Sequence, residues 1–371
     1  MKRLVLCADG TWNLRDQTDE KTGKRQPTNV TKVARAIRTR AADGTDQVVF
    51  YHDGLGTGGP MDRISGGAFG SGIEDNVRNL YRFIVYNYEP GDDIYLFGFS
   101  RGAFTVRTLA GFMYAVGLIE KDDDYYVPEL YGCYESGVRP GTPEWRKGFE
   151  YSQGFRESRM GQRAAGPCPP ITFIGAWDTV GALGAPGVLG QLLNRGKYKY
   201  HDVGLNETIL NAYHALAIDE RRKPFAPTLW TRPPGWAGHL EQAWFPGVHS
   251  NVGGGSVPDG LANEALHWIV EKAEALGLEF DKTYLDFFRP RFNLPLLDSM
   301  SMKYRVFGPH IRPIAQQPDT GESVHQSAID RRNVFSEYRP ENLEEYLARV
   351  GAGTKYAQTA RVPRGTPSAG S

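Results

Sequence analysis

Short apolar runs ending in Gly- or Asp-containing turns alternate along this chain with segments whose apolar residues recur at helical spacing. That alternation predicts a mostly parallel sheet flanked by helices. The first run, Leu4 to Ala8, predicts a strand ending at Asp9-Gly10-Thr11-Trp12-Asn13. Thr28-Asn29 caps a helix expected over Val30 to Thr39, with Val30, Val33, Ala34 and Ile37 on one face. Gln47 to Tyr51 is the second expected strand, and a glycine-rich loop, 54–72, leads into an amphipathic helix from Ile73 to Tyr88. Asp93 to Phe97 predicts a third strand that passes through Gly98-Phe99-Ser100-Arg101-Gly102 directly into an apolar helix reaching Val116. Ile171 to Trp177 predicts the fourth, ending at Asp178. Leu210 to Ile218 reads as a helix that stops at the charged cluster Asp219 to Lys223. Leu240 to Phe245 is the fifth expected strand, followed by Pro246-Gly247-Val248-His249 and an amphipathic helix over Leu261 to Ala275.

Three irregular blocks, roughly 120–170, 182–206 and 278–347, are rich in Tyr, Phe, Pro, Arg and Gly. They read as cap or lid insertions in a single catalytic domain spanning 1–350, with a loose tail at 361–371. Composition narrows the function classes. Lys plus Arg and Asp plus Glu both number 43, so no net field draws the chain to nucleic acid or an anionic membrane. The three cysteines, Cys7, Cys133 and Cys168, have neither paired nor zinc-ligand spacing, which argues against a disulfide framework. The apolar run after Met1-Lys2-Arg3 is too short for a signal peptide, and no stretch approaches the length of a membrane span. A cytoplasmic protein is therefore expected, with lipid contact, if any, peripheral.

The candidate chemistry lies just past the strand ends, where open α/β sheets place their sites. Gly98-Phe99-Ser100-Arg101-Gly102 fits GxSxG, a nucleophile elbow, and sits where that motif requires, between an apolar strand and an apolar helix. A serine nucleophile needs a histidine base and a carboxylate to fix its tautomer. His249 is the candidate base because it follows a strand and a Pro-Gly turn, beside Gly253-Gly254-Gly255. His325 is the rival, while His214 and His267 are expected to lie inside helices, packed or at the surface. Asp178, directly after a strand, is the candidate acid; Asp259 and Asp219 are alternatives, and Asp202 is a weaker one. The oxyanion hole is expected to combine the Arg101 amide with that of Gly10 or Thr11, and Asp9 to line the site or cap its turn. No cofactor is called for. Asp9, Asp53 and Asp178 could meet at the sheet edge, but no metal-ligand spacing supports a metal site.

Four ordered motifs, Leu6-Cys7-Ala8-Asp9-Gly10-Thr11-Trp12-Asn13, Gly98 to Ala103, Gly175 to Gly181 and Phe245 to Gly255, resemble the uncharacterised α/β-hydrolase family numbered 2235 among domains of unknown function. The resemblance extends from residue 1 to roughly 350 and includes Val324 to Arg331 and Tyr338 to Leu343. That family includes catalytic domains of type VI secretion phospholipase effectors. The resemblance therefore implies an α/β-hydrolase fold, a GxSxG ester hydrolase and a small or lipid ester as substrate, and is compatible with export by a secretion system. The residues leave two other readings open: a non-catalytic hydrolase scaffold binding a ligand or partner, and an acyltransferase or amidase using the same triad.

Overall fold

A computed structural model of the chain describes residues 1–11, 13–18, 23–54, 68–135, 168–181, 203–300, 302–305, 308–351 and 354–359. Trp12, Asp202, most of the loop 54–72, the greater part of the blocks 120–170 and 182–206, and the tail 361–371 lie outside them. Seven strands form one sheet: β1 Lys2–Ala8, β2 Asp46–His52, β3 Asp93–Phe99, β4 Phe173–Trp177, β5 Asn211–Ala217, β6 His239–Phe245 and β7 Glu322–Val324. Their order is β2-β1-β3-β4-β5-β6-β7, and every neighbouring pair is parallel. The principal helices are α1 Asn29–Ala36, α2 Ala68–Asn87, α3 Arg101–Val116, α4 Val127–Glu135, α5 His249–Gly253, α6 Gly260–Ala275, α7 Gln326–Val334 and α8 Glu341–Val350.

Both faces of the sheet are buried, and side-chain alternation along each strand divides the core in two. In β1, Leu4, Leu6 and Ala8 pack with α2, α3 and α4, whereas Val5 and Cys7 pack with α1 and α6. Ile94 and Leu96 of β3 join the first layer, and Tyr95, Phe97 and Phe99 the second. A third cluster, built from Leu216, Trp244, Val324, Ala328, Leu343 and Tyr346, closes the β7 end. The block 278–347 thus contains a sheet strand and two helices packed on it.

One predicted element is of the wrong type. Leu210 to Ile218, expected as a helix, is the strand β5 between β4 and β6, so the run at 240–245 is the sixth strand and not the fifth. The run is rich in Ala and Leu, which favour helix in isolation. Burial on both faces decides otherwise: Tyr213, Ala215 and Ala217 point to one layer and Ala212 and Leu216 to the other.

The chain runs from β1 outward to β2, then returns to place β3 on the other side of β1. The topological switch point therefore falls between β1 and β3, and the crevice beyond their carboxyl ends is where such sheets hold ligands. Close approach there depends on glycine. A Cβ on Gly102 would lie 2.1 Å from the Ala8 carbonyl oxygen, and one on Gly98 would lie 2.6 Å from Ala103 Cα. Gly→Ala inside a helix ordinarily stabilises by about 0.5–1 kcal/mol. At Gly102 the sign is expected to reverse, with a loss of about 1–3 kcal/mol from overpacking, read as a lower urea midpoint for Gly102→Ala.

Candidate active site

Ser100 stands at the turn between β3 and α3 with φ 57° and ψ −120°, a conformation costly for a residue with a side chain. Its amide continues the sheet ladder, donating to the Trp177 carbonyl at 2.9 Å, so the strain is held by the β3–β4 pairing. Asp178 does the same one strand over: its amide donates to the Ala215 carbonyl at 2.7 Å, and its φ is 39°. Neighbouring strands thus deliver both residues to the same edge. His249 opens α5, after the three residues Pro246-Gly247-Val248 that follow the end of β6.

These three side chains form one hydrogen-bonded line. Ser100 Oγ lies 2.9 Å from His249 Nε2, and His249 Nδ1 lies 2.5 Å from Asp178 Oδ2. A carboxylate can only accept, so Nδ1 carries the proton and Nε2 presents its lone pair to the serine hydroxyl. All three residues are buried. The imidazole is held between the rings of Phe99 and Phe225, with centroids 4.7 and 5.0 Å away. Burial alone would raise the Asp178 carboxyl, but the Arg312 guanidinium and His249 outweigh it and hold the group well below the usual carboxylate range.

The other acid candidates serve elsewhere. Asp219 accepts from the Gly247 amide at 2.6 Å and from the Tyr338 hydroxyl at 2.9 Å, bracing the turn that carries His249. Asp259 accepts from the buried Lys32 ammonium at 2.8 Å and so ties α6 to α1. His325 caps α7, accepting from the Ser327 amide and stacking on Phe245 with centroids 4.3 Å apart. His214, on β5 and not in a helix, accepts from the Thr179 amide at 3.0 Å and meets Gln242 at 3.0 Å through Nδ1. Burial drives its pKa down to about 3, so it is a neutral prop for the residue after Asp178. Asp53 pairs with Arg15.

Asp9 is buried and organises the β1 loop. Its Oδ2 accepts from Thr28 Oγ1 at 2.5 Å, Tyr51 OH at 2.6 Å and Thr31 Oγ1 at 3.0 Å. Its Oδ1 takes the Gly10 amide at 2.7 Å. Burial raises this carboxyl despite those donors. Of the two oxyanion candidates on this loop, Gly10 gives its N–H to Asp9. Thr11 is buried, and its hydroxyl has no partner among the described residues. Gly10 itself abuts the nucleophile, since a Cβ there would fall 3.3 Å from Ser100 Cβ. Arg101, the other candidate donor, supplies the first amide of α3, at the end of the helix where N–H groups face outward.

Two supporting residues escaped the sequence. Glu220 accepts from the His249 amide at 3.2 Å and is held by Arg222 and Ser299. Arg312 forks onto both oxygens of Asp178 at 2.7 and 3.0 Å. Glu220 was visible only as part of a charged cluster, and Arg312 lies in a block without periodicity, between Ile311 and Pro313.

A curated relative, the uncharacterized Saccharomyces cerevisiae protein YEL023C, is 26% identical over 247 residues, covering 63% of this chain and 33% of the yeast protein. Among solved structures, an uncharacterized protein from Pseudomonas aeruginosa is similar over 78% of this chain and 49% of its own, at 16% identity and TM-score 0.45. A Tle1 effector bound to the VgrG spike of the type 6 secretion system is similar over 79% of this chain and 77% of its own, at 15% identity and TM-score 0.45. This chain therefore spans a third of the yeast protein and about half of the Pseudomonas one. The family model for the type VI secretion system phospholipase effector Tle1-like catalytic domain matches residues 2–272, and the chain belongs to that family.

Proposed function

We propose that this chain is a serine hydrolase that cleaves carboxylic esters, phospholipid among them, through an acyl-enzyme. Family membership supports a phospholipase-type hydrolase in general terms. The observation that carries the serine mechanism is the continuous line from Ser100 Oγ through His249 to Asp178. Ser100 attacks the ester carbonyl as His249 Nε2 takes its proton, and the imidazolium that forms faces the Asp178 carboxylate. The Arg101 and Thr11 amides hold the oxyanion of the tetrahedral intermediate. On collapse, His249 protonates the departing alcohol and leaves Ser100 acylated. Water, deprotonated by the same histidine, then attacks the acyl carbonyl; the ester bond to Ser100 Oγ breaks, His249 returns the proton to that oxygen, and the carboxylic acid leaves.

Membrane contact in this reading is peripheral. Among the described residues no helix is long and apolar enough to cross a bilayer. The substrate reaches the Ser100 crevice at the lipid surface or from solution.

A fluorophosphonate probe tests the nucleophile independently of substrate identity. Displacement of fluoride by Ser100 Oγ should leave a phosphonyl adduct on the Ser100 peptide, read by mass spectrometry. Wild type is expected to label stoichiometrically and Ser100→Ala not at all. Folded wild-type protein that stays unlabelled, or equal labelling of the variant, would sink the assignment. Short p-nitrophenyl esters and phosphatidylglycerol vesicles, assayed in parallel, then separate soluble from lipid esters.

A further inference from the structure

Arg312 does more than neutralise a buried carboxylate. Its guanidinium is fully buried, with Nη1 donating to Asp178 Oδ1 at 2.7 Å and to the Ala217 carbonyl at 2.9 Å. Its Nη2 donates to Asp178 Oδ2 at 3.0 Å and to the Phe225 carbonyl at 2.5 Å. Each carboxylate oxygen thus has one bond from Arg312 and one from elsewhere: Oδ1 from the Ala217 amide at 3.0 Å, and Oδ2 from His249. A carboxylate fixed at four points cannot rotate about its last bond, so Oδ2 stays aimed at His249 Nδ1. The same guanidinium anchors the backbone of Phe225, whose ring packs against the imidazole. Asn342 of α8 in turn holds Arg312, donating to its carbonyl at 3.0 Å and to that of Ile218 at 3.0 Å.

Buried ion pairs are poor sources of stability, because desolvation consumes most of the Coulombic gain, so the pair invites a role beyond holding the fold. Arg312 also lies beyond residues 2–272, the part that matches the family model. We infer that Arg312 is the positioning residue of the triad acid, contributed by the segment leading to β7, which is thereby a working part of the active site. This inference rests on the Ser100–His249–Asp178 reading above. Arg312 acts in two ways. The fork fixes the plane of the Asp178 carboxylate, and the positive charge behind it limits how strongly the Asp178–His249 pair retains a proton.

The charged and titratable groups around that pair are identifiable. Arg312 faces Asp178 from the segment before β7, and His214 faces it from β5, with Arg107 of α3 beyond. Glu220, carrying Arg222, faces His249 from the loop after β5. His310 lies within electrostatic reach of both Arg312 and Lys223. Removing Arg312 deletes a cation paired directly with Asp178, so the pair should keep its proton to higher pH.

The test compares wild type, Ser100→Ala, Arg312→Lys and Arg312→Gln on a p-nitrophenyl ester, with Lys32→Met as a control that loses a buried cation paired with Asp259 and not with the triad. Thermal unfolding reports which variants fold. Arg312→Gln should lose about 10- to 100-fold in kcat with little change in KM, the range found when the group orienting a ligand is removed at metal centres. Its acid limb of kcat/KM should move to higher pH. Arg312→Lys keeps the charge but not the fork, so its acid limb should stay in place while kcat still falls. Lys32→Met should lose stability and keep wild-type kcat. The inference is overturned if a folded Arg312→Gln has wild-type kcat and pH profile. If Arg312→Gln does not fold, Arg312→Lys decides, and wild-type kcat there overturns it. Failure of both to fold also overturns it, making Arg312 a scaffold residue. Turnover in wild type that does not depend on Ser100 would instead strike the triad reading itself.

Discussion

Replacing Ser100 by alanine is expected to lower kcat for ester hydrolysis by about six orders of magnitude, the scale seen when a triad nucleophile is removed, while leaving the fold intact. The change is small structurally. Alanine keeps the Cβ, so the strained φ of 57° costs what it did before, and the ladder bond from the residue 100 amide to Trp177 is backbone. Only the Oγ is lost, together with its bond to His249 Nε2 at 2.9 Å. Losing one hydrogen bond costs about 0.5–1.5 kcal/mol, so the thermal midpoint should shift by only a few degrees. Kinetically the loss is severe, because nothing else in the line can form the acyl-enzyme. What survives comes from the oxyanion amides and substrate binding alone. A folded Ser100→Ala retaining more than about a hundredth of wild-type kcat would contradict covalent catalysis through this residue.

Much of this site was legible because its residues sit at strand ends, and strand ends are marked by local patterns. An apolar run followed by Gly-x-Ser-x-Gly, or by Asp, or by Pro-Gly-Val-His, puts the position of the side chain in the sequence itself. The same logic found the β1 loop. It failed where identity depends on what packs from far away. The run from Leu210 to Ile218 has the composition of a helix, and only burial between β4 and β6 makes it β5. His214 was misplaced with it, and its role of receiving the Thr179 amide could not be read without that strand. Gly10 and Thr11 are equal oxyanion candidates in the sequence, and the bond from the Gly10 amide to the Asp9 carboxylate is visible only in the fold. Arg312 approaches Asp178 across 134 positions of sequence, from a segment with no repeating pattern to mark it. Local chemistry is written locally, whereas the groups that hold it in place are selected by the fold.

The choice between Asp178 and Asp259 as the acid now has a sharper expected outcome than their sequence positions allowed. Asp178→Asn is expected to lower kcat by about four orders of magnitude, because an amide facing Nδ1 no longer enforces the tautomer that leaves Nε2 free to accept. It should also destabilise the protein, since the fully buried Arg312 loses the carboxylate it pairs with; breaking one side of such a pair costs about 3–5 kcal/mol. Assays therefore belong well below the variant's midpoint, with folding checked by circular dichroism. Asp259 offers a contrast. Its carboxylate is partly exposed, and its partner Lys32 keeps a second acceptor, Asn263 Oδ1, at 2.7 Å. Asp259→Asn leaves that bond and the triad untouched, so kcat should stay within about twofold, with a stability loss of about 1 kcal/mol. The two variants should thus differ by nearly four orders of magnitude in turnover. A folded Asp178→Asn that turns over normally, beside an inactive Asp259→Asn, would transfer the role of acid to Asp259 and remove the basis for Arg312 as its positioning residue.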